Sequence, residues 1–113
     1  MTVADVRAVA LTLPRTTEAV VRGRIKFRVG RIVYVAFSRD ETLMGFGFPK
    51  EEREATIAAE PSRFFMPSVG DQRFNWIEAY MSALDPDEMR ELVIDAWRGC
   101  VPKRVAAAYA EGG

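Results

Sequence analysis

Histidine is absent from the 113-residue chain, and cysteine occurs only once, at Cys100. The lack of histidine excludes a Ser-His-Asp triad, a Cys-His pair, a histidine metal site and a histidine pH switch. A single cysteine excludes an internal disulfide and a zinc site made of several cysteines. We therefore expect no metal and no cofactor, and the cysteine usage suits a reducing cytoplasm.

Long hydrophobic runs are also missing. The longest apolar runs hold about six residues, whereas a transmembrane helix needs about 20. The N-terminal residues lack the basic segment and extended apolar core of a signal peptide. These features predict a cytoplasmic protein that does not enter a membrane.

The chain has no excess of either charge, with 16 basic and 16 acidic residues. A balanced total argues against avid binding of nucleic acid, because dedicated binders usually carry a basic excess. The charges are unevenly spread, however: the first 31 residues hold seven basic residues against Asp5 and Glu18. A local basic field is therefore expected in this part of the chain.

Length and composition predict one globular domain over residues 1–113. The chain is 49% apolar and 28% charged, without a linker or a repeat. A chain of this length can bury enough surface to fold without disulfides or bound metals.

Hydrophobic periodicity predicts an alternation of helices and strands. Helices are expected at residues 2–13, 49–60, 86–100 and 105–110, and strands at residues 22–29, 32–37, 42–48, 64–66 and 75–84. Residues 15–20 read as a connector. This order predicts an α+β two-layer sandwich, with an antiparallel sheet of about 4–5 strands and helices on one side.

The strongest local signal is the sequence LDPDEMRELVIDAWRGC. Asp85 can cap a helix, Pro86 suits its first position, and Glu88 completes a capping box. The apolar stripe that follows has helical spacing and predicts a core helix.

A basic stripe alternates with apolar residues or glycine near the N-terminus. It consists of Arg22, Arg24, Lys26, Arg28 and Arg31. On a strand, alternate side chains point the same way, so four of these charges would line one face. Such a face could contact nucleic-acid phosphates, or it could be the solvated side of an edge strand.

Two further sets of residues are candidate contacts. Lys103 and Arg104 begin the last helical segment, where the helix dipole disfavours cations, so an anion or a neighbouring carboxylate is expected there. Trp76, Phe74 and Tyr80 could form an aromatic platform for a ligand, or could pack beneath the loop at residues 62–72. Gly45 and Gly47 in "GFGFPK" predict a close approach of a helix or another backbone rather than a phosphate loop.

The C-terminal third resembles the MmcQ/YjbR-like bacterial proteins, in which a capped helix ending in Ala-Trp-Arg is followed by Pro-Lys-Arg. The matching residues here are Ala96, Trp97, Arg98, Pro102, Lys103 and Arg104. The N-terminal half is similar through Leu13-Pro14, Glu18 and the Val-Gly-Arg at residues 29–31. The resemblance implies a CyaY-like sandwich with a "double wing" and a description as DNA-binding. It supplies no catalytic residues.

Two functions follow as hypotheses. The first is a DNA-binding protein that contacts phosphates through Arg22, Arg24, Lys26, Arg28 and Arg31, with Lys103 and Arg104 as a second contact. The alternative is a non-enzymatic module that binds a protein or a small anionic ligand through Trp76, Phe74 and Tyr80 on the open sheet face. Catalysis is not expected, because no nucleophile is paired with a base in the sequence pattern.

Overall fold

A computed structural model describes the backbone of residues 1–112 and the side chains of residues 1–110. Within this part of the chain there are four α-helices and one sheet. The helices are α1 (Val3–Ala10), α2 (Lys50–Ala59), α3 (Pro86–Arg98) and α4 (Lys103–Gly112). The strands are β1 (Thr16–Val21), β2 (Arg24–Val29), β3 (Ile32–Phe37), β4 (Leu43–Gly47), β5 (Phe64–Phe65) and β6 (Trp76–Tyr80). The predicted α+β fold class is confirmed, although the sheet has six strands rather than the expected 4–5.

The sheet is antiparallel throughout and its strand order is β1-β2-β3-β4-β6-β5. The first four strands follow one another through short turns, and β6 then pairs with β4. The expected connector at residues 15–20 is wrong, because these residues form most of the edge strand β1. β1 buries none of its side chains fully, so it lacks the apolar alternation by which a strand is recognised.

Side chains cap the N-termini of α1 and α3. Thr2 and Asp5 form a reciprocal capping box before α1, and the Asp85 side chain accepts a hydrogen bond from the Glu88 amide before α3. The Glu88 carboxylate does not complete a second box, however. It forms an ion pair with Arg63, which ties α3 to the segment that enters β5.

The strand pairing defines two faces. One cross-strand row contains Phe27, Val35, Phe46 and Ile77, all essentially inaccessible to solvent. We call this side the inner face, because Glu18, which pairs with Phe27, is bonded to Arg7 of α1. α3 contributes Met89, Val93 and Trp97 to the same core. No helix in the described chain is long and apolar enough to cross a membrane.

A β-bulge separates the two halves of the β2–β3 pairing. Phe27 faces Val35, but Arg28 faces Val33, which leaves Tyr34 as the extra residue of β3. The Tyr34 side chain is fully buried, and its hydroxyl lies 2.8 Å from the Thr16 hydroxyl of β1. The bulge therefore anchors the edge strand to the core through one polar contact.

Arg53 of α2 is the one charged side chain among the buried residues of the described chain. Its guanidinium donates hydrogen bonds to the carbonyls of Gln72, Phe74 and Trp76, at 2.9–3.2 Å. These contacts fix the irregular segment that leads into β6. Arg53 therefore positions the first residues of that strand.

We expect Arg53→Met to lower the free energy of unfolding by about 3 kcal/mol or more, because three carbonyls lose a charged donor and each such bond contributes about 1.5–3 kcal/mol. Arg53→Lys should recover only part of this loss, since an ammonium lacks the planar fork. Urea unfolding measures both. Arg90→Met, at an exposed position of α3, is the control and should stay within about 0.5 kcal/mol of the wild type. An equally small effect of Arg53→Met would contradict the assigned role.

Candidate functional site

The basic stripe lies along β2 and its two turns. Arg24, Lys26 and Arg28 pair with Val21, Ala19 and Thr17 of β1 and point away from the core, on the side we call the outer face. Arg22 was predicted within the strand, but it lies in the β1–β2 turn with a φ of 55°. Arg31 lies in the β2–β3 turn, as expected. The stripe therefore consists of three strand residues flanked by two turn residues.

None of the five stripe residues forms an ion pair with an acidic side chain within the described part of the chain. Arg22, Arg24 and Arg31 are exposed, whereas Lys26 and Arg28 are half-buried. The Nε of Arg28 is buried without a hydrogen-bond partner among the described residues. The stripe thus presents positive charge that the rest of the described chain leaves largely uncompensated.

Lys103 and Arg104 lie in the first turn of α4, and both are exposed. In the described residues, no hydrogen bond or ion pair joins either of them to the stripe. Their predicted role as a second contact therefore stays a prediction. Arg98 has a structural partner, because it forms an ion pair with Asp95 at 3.1 Å.

Only two of the three predicted aromatic residues share the outer face. Trp76 and Tyr80 lie on β6, and Phe65 of β5, which the sequence did not single out, packs against Tyr80 with 4.7 Å between ring centroids. Phe74 lies in the turn before β6 and is 51% exposed, with the Arg73 guanidinium 4.7 Å from its ring centre. The predicted strand at residues 75–84 is too long, because β6 covers only Trp76–Tyr80 and residues Met81–Ala83 form a short 3-10 helix. Phe74 lies outside the strand, so it does not share the alternation.

A cross-strand row with two small residues at its centre and a charged residue at each end crosses the middle of the outer face. Lys26, Ala36, Gly45 and Glu78 are successive partners across β2, β3, β4 and β6. A methyl group at Gly45 would lie 2.5 Å from Nε1 of Trp76 and closer still to Oε2 of Glu78. Gly45 therefore makes room for these two side chains, whereas Gly47 lies against Ala96 of α3, the close approach that the sequence predicted.

Glu78 is the acidic residue of this row. Its Oε2 accepts a hydrogen bond from the Trp76 indole N–H at 2.7 Å. Burial raises the pKa of the Glu78 carboxyl, and the Trp76 hydrogen bond and the charge of Arg24 act in the opposite direction. The Glu78 carboxylate thus lies in the electrostatic field of the basic stripe, but it forms no ion pair with a stripe residue in the described part of the chain.

Arg39 is a basic residue of this region that sequence reasoning missed. It follows β3 in the turn before β4, and its Nε donates to the carbonyl of Arg22 at 2.9 Å. Arg24 is held in a similar way, with its Nε donating to the carbonyl of Phe37 at 3.0 Å. Arg39 was not recognised because its position depends on how two turns meet.

A cleft of about 580 Å³ lies where β3, β4 and β6 approach the C-terminal half of α3. Its lining includes Val33, Tyr34, Trp76, Leu92 and Cys100. Burial raises the pKa of Tyr34 to about 12, and it also raises the pKa of the Cys100 thiol. Both groups are therefore neutral near pH 7, which suits an apolar binding cleft.

We expect Glu78→Gln to increase stability near neutral pH relative to the wild type. A carboxyl with a raised pKa binds its proton more tightly in the folded state, so its contribution to stability falls as pH rises from its unfolded pKa through its folded pKa. Glutamine removes the charge and keeps an acceptor for Trp76. The difference should shrink on acidification, as measured by thermal unfolding across pH.

Glu91→Gln, at an exposed position of α3, is the control for the loss of one negative charge. The raised pKa of Glu78 is contradicted if Glu78→Gln and Glu91→Gln show the same pH dependence of thermal stability.

Comparison with solved structures identifies a crystal structure of a Deinococcus radiodurans protein that carries a DUF419 domain. The two chains share 19% sequence identity, and their structures align with a TM-score of 0.74. The alignment covers 85% of this chain and 75% of the Deinococcus radiodurans chain. At this identity the likeness supports the fold alone. Comparison with curated protein sequences gives no match.

The sequence model of the YjbR family matches residues 11–99. The match extends from the end of α1 to the end of α3, and so includes the whole sheet. It agrees with the resemblance that the Ala-Trp-Arg and Val-Gly-Arg motifs indicated. The chain belongs to the YjbR family.

Proposed function

We propose that the protein binds DNA by placing the basic stripe along the phosphate backbone. The observation that carries this proposal is the shared direction of Arg24, Lys26 and Arg28 on the outer face, without acidic partners in the described chain. We propose a binding role rather than catalysis, because the chain lacks histidine and its nearby carboxylate, Glu78, is held by Trp76.

The spacing of the stripe supports phosphate contacts. Alternate residues on a strand lie about 6.8 Å apart. Successive phosphates of one DNA strand rise by about 3.4 Å along the axis, but the backbone winds around that axis and separates them further. The spacing of the cations is therefore close to that of neighbouring phosphates on one strand. Arg22 and Arg31 extend the charged line beyond both ends of β2.

The zero net charge of the chain is compatible with this proposal. Affinity for a polyanion depends on the cations that reach phosphates, because each neutralised phosphate releases counterions. Exposed charges more than about 8–10 Å away are largely screened at physiological salt. The carboxylates of the helices thus have little effect on a phosphate held at β2.

We expect duplex DNA to bind with an affinity that falls steeply with salt. If four phosphates are contacted, the log–log slope should be about −3.6. The double variant Arg22→Gln plus Lys26→Gln should reduce the slope by about 1.8, since two contacts are lost. Fluorescence anisotropy of a labelled duplex across a salt series measures both slopes.

The control is Arg90→Gln, which removes an exposed charge from α3 and should leave the slope unchanged. Arginines of the stripe that make backbone hydrogen bonds are left intact, so that folding is preserved. Absence of binding at low salt, or a slope equally affected by Arg90→Gln, would contradict DNA binding through the stripe.

The cleft beside α3 supports a second candidate function, the binding of a small ligand. Trp76 lines this cleft as well as lying on the outer face, so one of the three residues predicted to bind a ligand borders an actual cavity. Cavities of about 300–1,000 Å³ with mainly apolar linings are typical ligand sites. A protein partner has no comparable observation in its favour.

We expect the amphipathic dye anilinonaphthalene sulfonate to bind the native protein in this cleft. Val33→Trp should fill the space and abolish saturable dye fluorescence, whereas Val20→Trp, at an exposed position of β1, should preserve it.

Thermal unfolding gives a second measurement of binding in the cleft. The dye, or any other ligand, at about 100 times its Kd would add about 2.7 kcal/mol to the free energy of unfolding. Equal dye binding by both variants would exclude the cleft.

A further inference from the structure

Two arginines from different hairpins lie near the C-terminal end of β3, where the β1–β2 turn approaches the β3–β4 turn. Arg24 begins β2, and its Nε is bonded to the carbonyl of Phe37, the last residue of β3. Arg39 lies two residues beyond Phe37, and its Nε is bonded to the carbonyl of Arg22 in the other turn. A methyl group at Gly23 would lie 3.9 Å from the Arg39 Nε, so Arg39 lies alongside that turn. We call Arg24 and Arg39 the arginine pair.

The anchoring of each Nε leaves the two terminal nitrogens of each guanidinium unused. In the described residues, no protein hydrogen bond to these four nitrogens is present. A guanidinium is planar, so a fixed Nε restricts the directions of its remaining N–H groups. The pair is therefore pre-organised, which reduces the entropy lost on binding an anion.

Both arginines line one wide depression of about 520 Å³ on the outer face. The other lining residues are Ser38, Asp40 and Leu43. The depression is open to solvent, and four of its five lining residues are polar or charged. It is large enough for a single phosphate group and the first atoms attached to it.

Asp40 is the one acidic residue that lines the depression, and one of its carboxylate oxygens is bonded within its own turn. Its Oδ1 accepts hydrogen bonds from the Ser38 hydroxyl and from the Thr42 amide and hydroxyl, at 2.7–3.1 Å. These bonds lower the pKa of Asp40, so it stays ionised but pairs with its own turn rather than with Arg39. Glu78 also faces Arg24 without a salt bridge. The two guanidiniums therefore remain available.

We propose that the arginine pair is a phosphate-binding site. Two guanidiniums can each donate a pair of N–H groups to phosphate oxygens, and such charge-assisted bidentate bonds are about twice as strong as neutral ones. The inference deepens the proposed DNA contact, because Arg24 belongs to both the basic stripe and the pair. Arg39 is outside the stripe, so the pair can bind an isolated phosphate group even in a protein that binds no duplex.

The phosphate could belong to a free anion, to the terminal monoester of a nucleotide, or to an internal diester of a nucleic acid. All three present the oxygens that the pair recognises. A terminal monoester carries an additional negative charge relative to an internal diester. We therefore expect a 5′-phosphorylated oligonucleotide to bind the pair more tightly than the same oligonucleotide without its terminal phosphate.

The test is a titration of the full chain, labelled with ¹⁵N, with inorganic phosphate and with the two oligonucleotides. The amide signals of Gly23 and Asp40 and the Nε–H signals of the pair should shift in a saturable way. Arg39→Gln should weaken phosphate binding about tenfold or more, because one charged donor group is lost. Arg39→Lys should lose part of the affinity, since it keeps the charge without the fork.

Arg90→Gln is the charge-matched control and should bind phosphate as the wild type does. Chloride at equal ionic strength should not reproduce the shifts. The proposal is overturned if chloride does reproduce them, or if Arg39→Gln and Arg39→Lys are folded and bind phosphate like the wild type. Arg39 is not part of the stripe, so a negative result with the Arg39 variants rules out the phosphate site only. Duplex binding through the stripe is tested separately, by the salt dependence of its affinity.

Discussion

The two-residue period of the sheet is the constraint on which the other features depend. Burial of Phe27, Val35, Phe46 and Ile77 against the helices requires their neighbours in sequence to point to the opposite side. Lys26, Ala36, Gly45 and Glu78 are therefore brought together by the packing of the core. A change of register by one residue would bury the charges and expose the aromatic core. The candidate site is thus inseparable from the fold.

The positions of the arginine pair come from the turns rather than from the strands. Arg22 and Gly23 both have positive φ, as a two-residue hairpin turn requires, and this conformation presents the Arg22 carbonyl to Arg39. Arg24 connects the same hairpin to the end of β3. Two backbone carbonyls therefore orient two guanidiniums, and the turns hold these charged groups in fixed positions. Loops held by a rigid scaffold commonly carry binding residues for this reason.

Sequence patterns predicted the elements whose own residues carry a strong signal. α3 has a cap, a proline and an apolar stripe, and β2–β4 alternate or are continuously apolar. β1 has no such signal, because an edge strand with an exposed Thr17 and a paired Glu18 buries little. Phe65, Arg39 and the Glu78–Trp76 contact were missed for a different reason. Phe65 depends on the pairing of β5 with β6, and Arg39 depends on how two turns meet. The Glu78–Trp76 contact joins two side chains on the same face of β6, and it depends on the space that Gly45 of the neighbouring strand β4 leaves.

The balanced charge of the chain has a spatial explanation. Many acidic residues serve the helices: Asp5 and Asp85 cap α1 and α3, and Glu60 and Glu88 are paired with Arg63. Glu18 is paired with Arg7 at the edge of the helical layer. These carboxylates are committed to structural partners. The basic residues of β2 and the arginine pair therefore dominate their own surface, although the total charge is zero.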